Sequence, residues 1–135
     1  MTTNSLAKSY LIKATKRLKI LYVLLQEEAY SDVVRESQEI VELALKGLLR
    51  YVGIEPPKWH DVSPILKENK SLLPIFVSRE LDKIIKISKK LRKERELAFY
   101  GDEDFIPTDE YDSKDAQEAI KAAIFVVKIV SRVIK

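Results

Sequence analysis

Apolar residues return every three or four positions along most of the chain. This is the repeat of one face of an α-helix, and no stretch alternates strongly enough to compete as a strand. From Leu6 to Glu28 the stripe is Leu6, Tyr10, Ala14, Leu18, Leu21 and Leu25. Asp32 to Val52 carries the most regular stripe, Val33, Ser37, Ile40, Val41, Ala44, Leu45, Leu48, Leu49 and Val52, and is the predicted central helix. Ser31 offers it a capping hydroxyl, and Gly53 suits the left-handed position that closes a helix. Pro56 and Pro57 bar an immediate restart, and Ser63 followed by Pro64 signals a short helix through Ile65 and Leu66.

A long helix is predicted from Ser78 to Tyr100, with Leu81, Ile84, Ile85, Ser88, Leu91, Arg95 and Ala98 on one face. The last helix starts at Asp112 or Ser113, either of which can cap, and runs through Ala116, Ala119, Ile120, Ala123, Val127, Val130 and Ile134. Ile124, Phe125, Val126, Ile129 and Val133 widen its apolar surface beyond one stripe, so a second copy of the chain is expected to cover part of it. The whole reads as all-α, four long helices and a short one. With 135 residues, 46% of them hydrophobic, the chain can bury one core, which predicts a single domain over residues 1–135.

Charge changes this picture only locally. Lys and Arg number 24 against 21 acids, a net +3, so any attraction to nucleic acid must come from where the bases stand. The outer face of the first helix carries Lys8, Lys13, Lys16, Arg17 and Lys19 with no acid before Glu27, which reads either as a solvated face or as a phosphate-facing one. The loop "GDEDFIPTDEYD" holds six acids and no base just after the basic run "KKLRKER", so the two can neutralise each other. No cysteine is present, which excludes disulfides, thiolate nucleophiles and cysteine zinc sites. Neither a signal-like start nor an uncharged run of roughly 18 residues occurs, and a cytoplasmic protein is expected. Abundant Lys and Glu with no Cys and one Met is a balance that thermophilic proteins favour.

Few residues offer chemistry. His60 has no second His or Cys to share a metal, and is expected to pin its loop with Trp59 while Asp61 supplies a hydrogen bond. Glu36, Glu39 and Glu42 share a helix face at a spacing of three and read as a solvated surface. The three glycines are widely separated, so no phosphate loop exists, and neither metal nor cofactor is expected. Arg95 is different, because a guanidinium on an apolar stripe must be paired or face a wet cleft. Paired, it would take an acid such as Glu42 or Asp102; facing a cleft with Tyr100, it would bind phosphate through its rigid fork while the phenol stacks or donates.

Two segments resemble the HEPN domain, a family named for nucleotide binding in higher eukaryotes and prokaryotes. "YSDVVRESQEIVELALKGLLRYVGIEPPKWHDVSPIL" has its course: an aromatic start, Gln38 and Glu42 with Lys46 a turn on, a Leu48-Leu49 finish, then glycine, prolines and His-Asp before a short helix. "RELAFYGDE" resembles the family's ending of the long helix. The resemblance implies an up-and-down bundle of four or five helices, a homodimer, nucleotides or RNA as ligands, and a minimal nucleotidyltransferase as partner in a toxin–antitoxin pair.

Many members of that family cleave RNA with an Arg-x4-6-His motif. Here Tyr100 stands where the histidine would be counted from Arg95, and a phenol is a poor proton carrier at neutral pH, so no catalytic residue is expected. The tyrosine that a partner nucleotidyltransferase adenylates in some relatives corresponds to Asp102. The expected ligand-binding residues are Arg92, Lys93, Arg95 and Tyr100. The rival readings are an unconventional ribonuclease toxin and a helical protein-interaction module without ligand.

Overall fold

The computed structural model describes residues 2–58 and 61–135; Trp59 and His60, expected to pin their loop, lie outside the described residues. The helices are α1 (Thr2–Gln26), α2 (Tyr30–Tyr51), α3 (Ser63–Glu68), α4 (Ile75–Arg79), α5 (Leu81–Phe99), α6 (Pro107–Glu110) and α7 (Ser113–Val133), with a 3-10 turn at Lys70–Leu72. The fold is an all-α bundle, and among the described residues an isolated bridge between Asp102 and Phe105 is the only β pairing.

α1 reverses into α2 through a turn of three residues. Glu28 takes a left-handed φ of 57°, its N–H donates to the Leu25 carbonyl at 3.0 Å, and the N–H of Ala29 donates to that of Leu24 at 2.9 Å. This pair of bonds closes α1 and delivers the chain already helical at Tyr30. Ser31, expected as the cap of α2, is therefore buried inside its first turn, with Ala29 at the cap position. At the other end Gly53 has φ 89°, as its sequence position predicts.

α2 is the central helix and packs against α1, α5 and α7, burying Val33, Ile40, Val41, Leu45, Leu48 and Leu49. α1 approaches α2 closely at Gly47, where a Cβ would lie 3.2 Å from the Tyr10 Cβ and 3.3 Å from the Ala7 carbonyl oxygen. That approach sets Tyr10 and Lys13 of α1 beside Lys46 of α2.

The single helix expected from Ser78 to Tyr100 is divided. Pro74 in an extended conformation opens α4, and Glu80 leaves helical geometry at φ −99°, ψ 6°, its N–H reaching back only three residues to the Val77 carbonyl. Val77 and Leu81 are buried on either side of the break, four positions apart, so the apolar period runs through it unchanged. α3 starts at Ser63, but the oxygen that receives the Ser63 N–H is Asp61 Oδ1, at 3.0 Å; Val62 holds the cap position. α7 follows its sequence signal: Asp112 Oδ1 accepts from the Asp115 N–H, and Asp115 Oδ2 accepts from the Asp112 N–H, each at 3.0 Å. The acidic loop contains the short α6, started by Pro107 at its first position.

The wide apolar surface of α7 is covered in part within the chain, Ile124, Phe125 and Val133 staying half-buried. Val126 and Ile129 are buried, the Lys83 ammonium sits 3.9 Å over the Phe125 ring, and the Arg132 guanidinium 4.0 Å over Phe76. α7 therefore leaves less apolar surface open than its sequence suggests. Large apolar side chains stay exposed elsewhere, including Ile12, Ile20 and Val23 on the outer side of α1 and Phe99 and Tyr100 at the end of α5. No helix among the described residues is long and apolar enough to cross a membrane.

Candidate functional site

The face of α2 that carries Glu36, Glu39 and Glu42 lies between α1 and α5. The sequence reading made this column a solvated surface; instead each carboxylate is partly buried and holds a base from a neighbouring helix. From α1, Arg17 Nε donates to Glu36 Oε2 at 2.8 Å and its Nη2 to Oε1 at 3.4 Å. From α5, Arg95 Nη2 pairs with Glu39 Oε1 at 3.2 Å, and Arg92 Nη1 with Glu42 Oε1 at 2.9 Å. α2 adds its own bases, Arg35 Nε on Glu39 Oε1 at 3.4 Å and Lys46 Nζ on Glu42 Oε2 at 3.3 Å, and Gln38 Nε2 donates to Glu42 Oε1 at 3.2 Å. A spacing of three tells that the acids share a face; only the packing of α1 and α5 alongside brings the arginines to it.

Between α1 and α2 this arrangement leaves a cleft of about 350 Å³ walled by Tyr10, Lys13, Arg17, Glu39, Glu42, Leu43 and Lys46. Six bases, Lys13, Arg17, Arg35, Lys46, Arg92 and Arg95, are joined to the column or line the cleft, against its three acids, so positive charge is in excess. The Glu36 carboxylate, through its hydrogen bond first and its charge second, holds the Arg17 guanidinium above its ordinary pKa. The Glu39 carboxylate positions Arg35 and Arg95 without using up their donors. Arg95 spends one amino group on Glu39 while its Nε is buried with no partner among the described residues, as is Nη1 of Arg35.

Of the two readings of Arg95, the structure shows the paired one, with Glu39 instead of Glu42 or Asp102; its side chain remains 35% exposed, and neither Arg95 nor Arg92 is among the residues that wall the cleft. Arg92 takes Glu42. Tyr100, the residue that caps α5, is 71% exposed, meets the Phe99 ring edge-on at 4.8 Å, and is not among the residues that wall the cleft. Its link to Arg95 is indirect, through Phe99, the Arg35 guanidinium 4.6 Å over the Phe99 ring, and the Glu39 oxygen that Arg35 and Arg95 share. Lys93 is exposed, two positions and hence roughly 160° around α5 from Arg95. Arg35, Phe99 and Tyr10 escaped the sequence reading. Arg35 stands four before Glu39, a spacing that announces a pair; nothing in the sequence marks Phe99 as its platform. Among the described residues no three His, Asp or Glu side chains are grouped to hold a metal ion.

A family model described as HEPN domain matches residues 7–133. No curated protein and no solved structure matches the chain.

Proposed function

The chain belongs to the HEPN domain family, and from that membership we propose that it is a binding module for nucleotides or RNA, holding phosphate groups in the cleft over α2 without cleaving them. The observation that carries this reading is the carboxylate column of α2, which pairs with Arg17 from one helix and with Arg92 and Arg95 from another. Arginine forks fixed by second-side hydrogen bonds are pre-arranged for phosphate oxygens, so little side-chain freedom is lost when a ligand arrives. Lys13 and Lys46 add charge from the cleft walls, and the exposed Tyr100 ring, outside those walls at the end of α5, offers a stacking surface.

The same membership supports a minimal nucleotidyltransferase as partner in a toxin–antitoxin pair, and a homodimer. In place of α7, the dimer would use the exposed side of α1, where Ile12, Ile20 and Val23 stand within one helical face.

Calorimetric titration with ATP, AMP and a short single-stranded RNA tests the reading, on wild type, Arg95→Ala and Tyr100→Phe at two salt concentrations. Loss of Arg95 is expected to weaken binding by about 1.5 to 3 kcal/mol, the range for hydrogen bonds to a charged group, and loss of the Tyr100 hydroxyl by less. If Arg95→Ala lowers the melting temperature and leaves binding unchanged, the arginine serves only Glu39 and the reading fails. RNA cleavage that depends on Arg95 would establish the ribonuclease alternative instead.

A further inference from the structure

A second concavity, of about 180 Å³, opens between α2, α5 and α7, lined separately from the basic cleft. Its floor is apolar, made by Val34, Leu91, Ala119 and Ala122, while Glu94, Asp115 and Glu118 stand around it against a single base, Lys90. Acids at a surface need no ligand to explain them. Tyr111 does: it lines the same cavity, is only 8% exposed, and its hydroxyl is fully buried with no hydrogen-bond partner among the described residues. A buried hydroxyl left unpaired costs free energy that an apolar ring in its place would avoid. Its ring meets that of Phe105 edge-on at 5.7 Å. Burial first, then the charges of Glu94, Asp115 and Glu110, pushes the Tyr111 phenol up to about 12, so it remains neutral and able to accept a hydrogen bond. Glu94 is itself held above its ordinary value, by desolvation first, with the Lys90 charge acting the other way.

We propose that this cavity binds a small organic amine, its apolar body on Val34, Leu91 and Ala119 and its ammonium between the Glu94 carboxylate and the Tyr111 hydroxyl. The volume suits it, since a cavity of roughly 150 Å³ holds a benzene ring. The surplus of acid over base selects a cation, and the apolar floor selects an organic body over a bare metal ion. Nothing in this site draws on Arg17, Arg92 or Arg95, so amine binding and RNA binding stand or fall separately.

Benzylamine, benzyl alcohol and benzoate, titrated against the full chain and followed by amide chemical shifts, test this directly. Benzylamine is expected to give saturable shifts centred on Ala119 and Ala122, with the alcohol and the benzoate weaker by at least about tenfold. Glu94→Gln should weaken benzylamine by about tenfold or more, and Tyr111→Phe by less, both with the fold intact. Ala122→Leu, which fills the floor, should abolish binding. Equal affinity for all three compounds, no saturable shifts with benzylamine, or full binding by Glu94→Gln would each overturn the proposal.

Discussion

A single oxygen of Glu39 pairs with two arginines, one on its own helix and one on α5, and this sharing explains why Arg95 can occupy an apolar stripe. The guanidinium is neither expelled to water nor left unpaired in the core. At this level of exposure the pair itself contributes about 1 kcal/mol or less, so its main effect is to fix direction. Tyr111 is the opposite case, a polar group whose burial is not compensated among the described residues. Removing its hydroxyl in Tyr111→Phe should therefore leave stability at neutral pH unchanged or slightly higher. At high pH the wild type should suffer more. Folded Tyr111 keeps its proton up to about 12 while the unfolded phenol releases it near 10, so its titration leaves stability untouched below about pH 10 and lowers it as pH rises towards 12. Urea midpoints of both proteins measured across that window should diverge, wild type falling more steeply. Parallel curves would mean that Tyr111 titrates normally.

The elements were legible where the apolar period and the caps agree. α2 and α7 follow their stripes closely, and Asp112 caps α7 as its position predicts. α4 and α5 did not separate in the sequence because Val77 and Leu81 keep helical spacing across the break at Glu80, and period alone does not register one non-helical residue. Ser31 misled for a related reason: capping propensity is local, whereas the start of α2 is decided by the left-handed Glu28 and the two bonds that close α1. At the end of α5, Gly101 takes φ 66°, and a Cβ there would run into the Phe105 carbonyl oxygen and the Pro107 ring. Gly101→Ala is thus expected to lose at least about 1 to 2 kcal/mol, from the left-handed backbone with the clash added. Thermal unfolding should show a lower midpoint, and an unchanged one would mean that the acidic loop can rearrange without cost.

Across the whole molecule, the sequence announced a basic first helix and a basic run before Tyr100, but not that α2 would lie between them with its carboxylates turned to both. That relation is a matter of which helices pack side by side, and stripes on separate helices do not encode it. The acids on α2, set aside as a solvated face, are what join the two basic segments. If they do so to make one phosphate-binding surface, bases from both helices must contribute to the same binding event. The affinity for a short single-stranded RNA, measured against salt concentration for wild type, Lys13→Gln, Arg95→Gln and the double variant, tests this most directly. A shared surface predicts that each single variant lowers the slope of log affinity against log salt by roughly 0.7, the value for one phosphate contact on a single strand, and that the double variant lowers it by about twice as much. A slope that responds to only one of the two helices, or to neither, would contradict it.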